Sequence, residues 1–249
     1  MSPLSDPTRL RRLAAGMCLI AAPVTYVAGI LADPALRLGG SADAVGAYGR
    51  HLEQVSLSAA ILHWSWVLLV PGVIGMIHLV RRRAVLLGHI AGALALLGVV
   101  NFSALMLGDF FYARLERELG PATGATLGDQ ALADPGAVFG FQIPGFAGVA
   151  GVFLLGLVLA YGRHAPWWAP FAMVAGMFTA PIFWVGTVVG GLLYLAGSGA
   201  IGMRMIRMTD SEWAHPGSRG AGPDPEHDTS GADGTRPAGR DAHQATTKR

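Results

Sequence analysis

Apolar residues along this chain run in long unbroken blocks and do not alternate with polar ones. Four such blocks, at 12–32, 56–80, 85–107 and 141–161, are each bounded by arginine, aspartate, proline or glycine. About 20 apolar residues suffice to cross a hydrocarbon core about 30 Å thick, and lipid offers an open backbone no hydrogen-bond partner. Each block therefore predicts a transmembrane helix. A fifth block, 166–208, has no charge before Arg204. As a single helix it would measure about 60 Å, twice the core, so it predicts two helices folded back at a turn within 181–191. The pattern gives an all-α polytopic membrane bundle of six transmembrane helices over 12–208, with an N-terminal segment 1–11 and a tail 209–249.

The polar residues between the blocks fix an orientation. With the N-terminus inside, six crossings place Arg9, Arg11, Arg12, Arg81, Arg82, Arg83, Arg163, Arg204 and Arg207 on the inner side. Only Arg37, Arg50, Arg114 and Arg117 fall outside, together with eight of the nine acidic residues that precede the tail. Arginine in short loops stays on the cytoplasmic side, so both termini are expected there, in the cell membrane. Five crossings would put Arg204 and Arg207 outside. Trp167 and Trp168 at one interface and Phe110, Phe111 and Tyr112 at the other fit aromatic belts.

The longest loop follows the third block. Phe111, Leu115 and Leu119 recur every four residues among Arg114, Glu116, Arg117 and Glu118. This spacing suits either a short amphipathic helix lying on the outer membrane surface or an extension of the third span. Beyond Thr209 the chain turns polar and rich in Gly, Pro and Asp, a composition that does not repay the entropy of ordering, so the tail is expected to be disordered.

Composition narrows the chemistry. Of 249 residues, 52% are hydrophobic and 14% charged, with a mean hydropathy of +0.46. The formal charge of +2 does not indicate a nucleic-acid partner, because the basic residues sit at the ends of apolar blocks and not on a soluble face. The expected partners are the lipid bilayer and another membrane protein or a second copy. A single cysteine, Cys18, permits no internal disulfide and no cysteine pair for redox or zinc. DDxxD, HExxH, GxSxG and Walker A motifs are missing, and no cofactor is expected. His78 and His89 flank the arginine turn but lie about a turn apart in depth, which does not suit bis-histidine haem ligation.

Polar groups within spans are costly and call for a role. If Leu79 and Val85 stand level at the arginine turn, His63 on the second helix faces Asn101 on the third. Asp109 and Glu53 lie further out, and with Ser56, Ser103, Trp64 and Trp66 they outline an outward-facing polar pocket. The candidate ligand-binding residues are thus His63, Asn101, Asp109 and Glu53. The same His63–Asn101 pair also serves as plain interhelical glue. Gly88 and Gly92, Gly186 and Gly190, and the stripe Gly145, Gly148 and Gly151 predict close helix packing. Pro23, Pro71 and Pro144 predict bends.

The segments RLAAGMCLIAAPVTYVAGIL, HWSWVLLVPGVIGMIHLVRR and LGHIAGALALLGVV, with a Pro-Trp start to the last hairpin, resemble the bacterial six-helix membrane proteins of the DUF4386-like kind over about residues 9–207. The resemblance implies fold and location and brings no catalytic residue. The functional expectation is a membrane protein that binds or helps to move a small amphiphile or peptide. Its rivals are an intramembrane cyclase or isomerase of a lipid-like substrate, with Glu53 or Asp109 as acid and His63 as base, and a structural subunit of a larger complex.

Overall fold

The computed structural model describes residues 6–37, 46–80, 84–180, 182 and 184–216. The Arg81–Arg83 turn and the tail from 217 onward lie outside the described residues. Helix α1 (Pro7–Ala32) opens with Pro7 in its first turn and with Asp6 as cap, its carboxylate accepting from the Thr8 N–H at 2.8 Å. Two short helices follow, α2 (Pro34–Arg37) and α3 (Ala47–Arg50). Helices α4 (Leu52–Leu79) and α5 (Val85–Leu119) form the expected hairpin, and α6 (Pro121–Leu132) folds back along the end of α5. A single turn α7 (Pro135–Ala137) and a π-helical turn (Val138–Gln142) lead into α8 (Ile143–Tyr161). The π turn closes with the Ile143 N–H on the Val138 carbonyl, immediately before Pro144, whose missing N–H would interrupt an α ladder. The last hairpin is α9 (Trp168–Thr179) and α10 (Trp184–Arg207), and a final short helix, α11 (Asp210–Ala214), follows.

Among the described residues five helices are long and apolar enough to cross a membrane: Pro7–Ala32, Leu52–Leu79, Val85–Leu119, Pro135–Tyr161 and Val185–Arg207. The protein is an all-α, polytopic membrane bundle. The sixth predicted span, α9, has 12 residues, about 18 Å at 1.5 Å each, and is shorter than the hydrocarbon core. The hairpin bends between Thr179 and Trp184, at the start of the expected window. Helix α5 has 35 residues, about 52 Å, so it runs well past one membrane surface. The extension reading of the loop is therefore the correct one. Its apolar stripe does not cover the bundle, since Phe111 and Leu119 are exposed while Ala113 and Glu116 are buried.

The six principal helices close a ring in chain order: α1 packs on α4, α4 on α5, α5 on α8, α8 on α9, α9 on α10, and α10 back on α1. Lipid tails are as apolar as leucine, so helix association relies on close packing. Glycines supply it, the predicted Gly148, Gly151 and Gly190 together with Gly98 and Gly176, which were not predicted. Gly98 meets Gly148 backbone to backbone, Gly151 lies against Ala91 and Ala95, and Gly176 and Gly190 bring α9 onto α10. A methyl group at any of these positions would strike main-chain atoms of the facing helix. Aromatic rings, one from each of five helices, run from the interior out to the exposed Phe146. Tyr194 stands edge-on to Tyr26 at 5.6 Å, Tyr26 to Trp66 at 6.0 Å, Trp66 stacks on Phe102 at 4.9 Å, and Phe102 meets Phe146 at 5.6 Å. Edge and offset geometries match the quadrupoles of the rings.

One end of the bundle carries the start of α1 and the ends of α4 and α10, and we call it the terminal end. The opposite, loop end carries α2, α3, α6 and the extension of α5. At the terminal end the folded body extends past the expected boundary at 208. Thr209 caps α11 in a reciprocal arrangement with Glu212, and Trp213 is buried. Residues 209–216 of the expected disordered tail are therefore ordered.

Candidate functional site at the loop end

The membrane-embedded polar side chains are bonded first to backbone. Ser58 donates to the Gly29 carbonyl at 2.8 Å, Thr187 to Ala180 at 2.8 Å, and Ser198 to Leu19. Asn101, buried on α5, donates to the Leu97 carbonyl of its own helix at 2.7 Å. His63 does not meet it. The Nδ1 of His63 lies 2.8 Å from the Ser103 hydroxyl, two residues further along α5. The expected register is displaced by the packing beside the turn. Val80 settles on Gly88 and Ile77 on Gly92, where missing side chains leave room, so Leu79 does not stand level with Val85. Trp66 is in the core while Trp64 is exposed, as two residues on a helix must be, about 200° apart. A crevice beside Trp66 and Phe102, lined also by Gly98, Val99, Gly148 and Met177, is apolar. Glu53 is exposed in the first turn of α4. The predicted four residues thus do not assemble into one pocket. His89, exposed, bonds back to Val85 in its own helix, and His78 is engaged elsewhere.

Asp109 is the predicted residue that the fold brings to others. It is half-buried on the extension of α5, beside an acidic cap built by the short helices. Asp33 ends α1 and begins α2. One carboxylate oxygen accepts from the Ala35 and Leu36 N–H groups at 2.8 and 3.3 Å, the arrangement expected of a residue capping the start of a helix. Its other oxygen accepts from the Tyr48 hydroxyl at 2.9 Å. Glu116, a further seven residues along α5 from Asp109 and so on the same face, accepts from the Gly49 N–H at 2.8 Å. Gly49 is needed there, because a Cβ would lie 2.9 Å from the Arg117 nitrogen. Tyr112 donates to Asp129 at 2.8 Å and stands edge-on to Tyr48 at 6.0 Å.

Asp33 and Glu116 are each 7% exposed. Among the described residues no arginine closes an ion pair with Asp33, Asp109 or Glu116. Burial, and then the carboxylates of Asp109, Asp33 and Glu116, push the Tyr48 phenol far above its ordinary range, so it remains a donor. The arrangement holds three carboxyl groups around Tyr48, with backbone and hydroxyl donors as partners of Asp33 and Glu116. Its electrostatic preference is for a cation.

Asp33, Tyr48 and Glu116 were missed by sequence reasoning. The Asp-Pro step at 33–34 is a recognisable cap signal, and Asp109, Tyr112 and Glu116 share a face of α5. The apolar stripe of Phe111, Leu115 and Leu119 on the adjacent face is the stronger sequence signal. Comparison with known proteins finds no matching family model, no matching curated protein and no matching solved structure. Fold and hydropathy define the class: an integral membrane protein built as a polytopic helix bundle.

Proposed function

We propose that the protein lies in the cell membrane with both termini in the cytoplasm, and that it binds or helps to move a small amphiphile or peptide bearing a positive charge. The orientation is supported by the nine arginines assigned to the terminal end against four at the loop end. The ligand class is supported above all by one observation: the half-buried Asp109 stands beside the buried Asp33 and Glu116 with no arginine paired to them among the described residues. Uncompensated carboxylates in a low dielectric attract a cation. In this reading Asp109 anchors the charge, while His63 with Ser103 is the next polar group down the α4–α5 hairpin. Glu53 and Asn101 carry no part of it. Kinship with the DUF4386-like proteins belongs to the same proposal.

The test is titration of dodecyltrimethylammonium and of dodecyl sulfate into the full chain in lipid nanodiscs. The cationic amphiphile is expected to bind, and Asp109→Asn to weaken it by about tenfold, the equivalent of one charge-assisted contact. Equal binding of both amphiphiles, or an unchanged affinity in Asp109→Asn, refutes the reading. For the orientation, a cysteine introduced at Ser211 in a Cys18→Ser background should escape membrane-impermeant maleimide in intact cells.

A further inference from the structure

Arg204, half-buried in the last turn of α10, carries a cation that the fold leaves uncompensated. Two turns earlier, Gly197 packs on the Ala169 carbonyl and on Met173 of α9. Seven residues along a helix return to the same face, so Arg204 continues that face past the start of α9, to the level of the connection 162–167 from α8. Its Nε is buried without a hydrogen-bond partner. Its terminal nitrogens reach the surface, and they too meet no partner among the described residues. The acidic groups of that end are engaged elsewhere: Asp6 by the Thr8 N–H, Asp210 by Arg12 and Glu212 by the Thr209 N–H. Residues 217–249 hold five acidic and five basic residues, so they bring no surplus of negative charge to offset it.

Two exposed arginines stand at the same level. Arg207 lies three residues beyond Arg204 and so beside it on the helix surface. Arg163 lies in the connection, where it closes α8: the His164 N–H reaches the Leu159 carbonyl at 2.8 Å and the Arg163 N–H the Ala160 carbonyl at 3.0 Å. Neither arginine closes an ion pair among the described residues. Trp167 and Trp168, exposed at the same connection, mark the depth, because indoles settle at the headgroup level of a bilayer. A guanidinium enclosed on its Nε side keeps the Nη fork as its open face, and that fork matches two oxygens of a phosphate. We propose that Arg204, with Arg163 and Arg207, binds the phosphate of an anionic phospholipid headgroup. The lipid supplies at the membrane surface the acceptor and the negative charge that the protein does not. This site lies at the opposite end from the acidic cap and stands whether or not that cap binds a cation.

The test is native mass spectrometry of the full chain released from nanodiscs of equal parts phosphatidylglycerol and phosphatidylcholine, with the bound lipids counted. The parent should retain phosphatidylglycerol in preference to phosphatidylcholine by about tenfold. Arg204→Gln, checked for folding by circular dichroism, should lose most of that preference. Arg114→Gln, which removes an exposed arginine at the loop end, should keep it. Equal retention of the two lipids by the parent overturns the site, and that measurement needs no variant to fold. An unchanged preference in Arg204→Gln overturns it as well, and so does an equal loss in Arg204→Gln and Arg114→Gln, which would reduce the effect to general surface charge. Glycerol 1-phosphate added at the same concentration as the lipid should not displace it. Displacement would make the ligand a free phosphate and overturn the lipid assignment.

Discussion

The two ends of the bundle finish their helices with opposite chemistry. At the terminal end a buried guanidinium, Arg12, donates to the last carbonyls of α10. At the loop end buried carboxylates accept from backbone N–H groups, Asp33 from Ala35 and Leu36 and Glu116 from Gly49. Both follow from the unsatisfied groups that helix ends and tight turns leave behind: carbonyls that favour a cation, N–H groups that favour an anion. They differ in compensation. Arg12 has Asp210 as a counter-ion, whereas among the described residues no arginine closes an ion pair with Asp33, Asp109 or Glu116.

That difference orders the expected effects of substitution. The largest is at Arg12. Arg12→Gln keeps a donor but removes the charge that serves two carbonyls and Asp210, and should cost about 2–3 kcal/mol in detergent unfolding. A cost below half of that would mean the Arg12 contacts are no tighter than a surface ion pair.

Tyr48→Phe comes next, at about 1 kcal/mol for the acceptor it leaves unpaired on Asp33, and it carries a pH signature. The Tyr48 phenol is raised above its ordinary 10.0 in the folded protein, so the folded state holds that proton more tightly than the unfolded chain does. The stability linked to it is complete below 10.0 and falls as pH rises past that value. Melting temperatures taken from neutral to strongly alkaline pH should fall less steeply in Tyr48→Phe than in the parent. Parallel curves would remove Tyr48 from the charged cluster.

Glu116→Gln should have the smallest effect, within about 0.5 kcal/mol, because the amide oxygen still accepts from Gly49 and a like charge is relieved beside Asp33 and Asp109. If it proves as costly as Arg12→Gln, the two ends are equally compensated and the contrast between them fails.

The helices were legible because lipid makes the rule simple: a long apolar block has one way to satisfy its backbone. Half of each glycine face was legible for a similar reason, since Gly148, Gly151 and Gly190 fit where little else does, while their partners Gly98 and Gly176 emerged only from the packing. The pairing of His63 was not. It depends on how Val80 and Ile77 slide onto Gly88 and Gly92, a shift of two residues that spacing alone does not encode. The boundary at 209 failed because composition averaged over the whole polar tail hid one short capped helix with a single indole to bury.

Sequence by itself determined the class of this protein, the number of apolar segments, the hairpin in 166–208 and the residues that allow helices to touch. These follow from the local contest between backbone and solvent. Only the tertiary structure decided which polar groups meet. It placed Ser103 against His63, gathered Asp33, Tyr48 and Glu116 around Asp109, and laid Trp213 on His78. Each of those contacts joins positions far apart in the chain, and their geometry is set by the packing of whole helices.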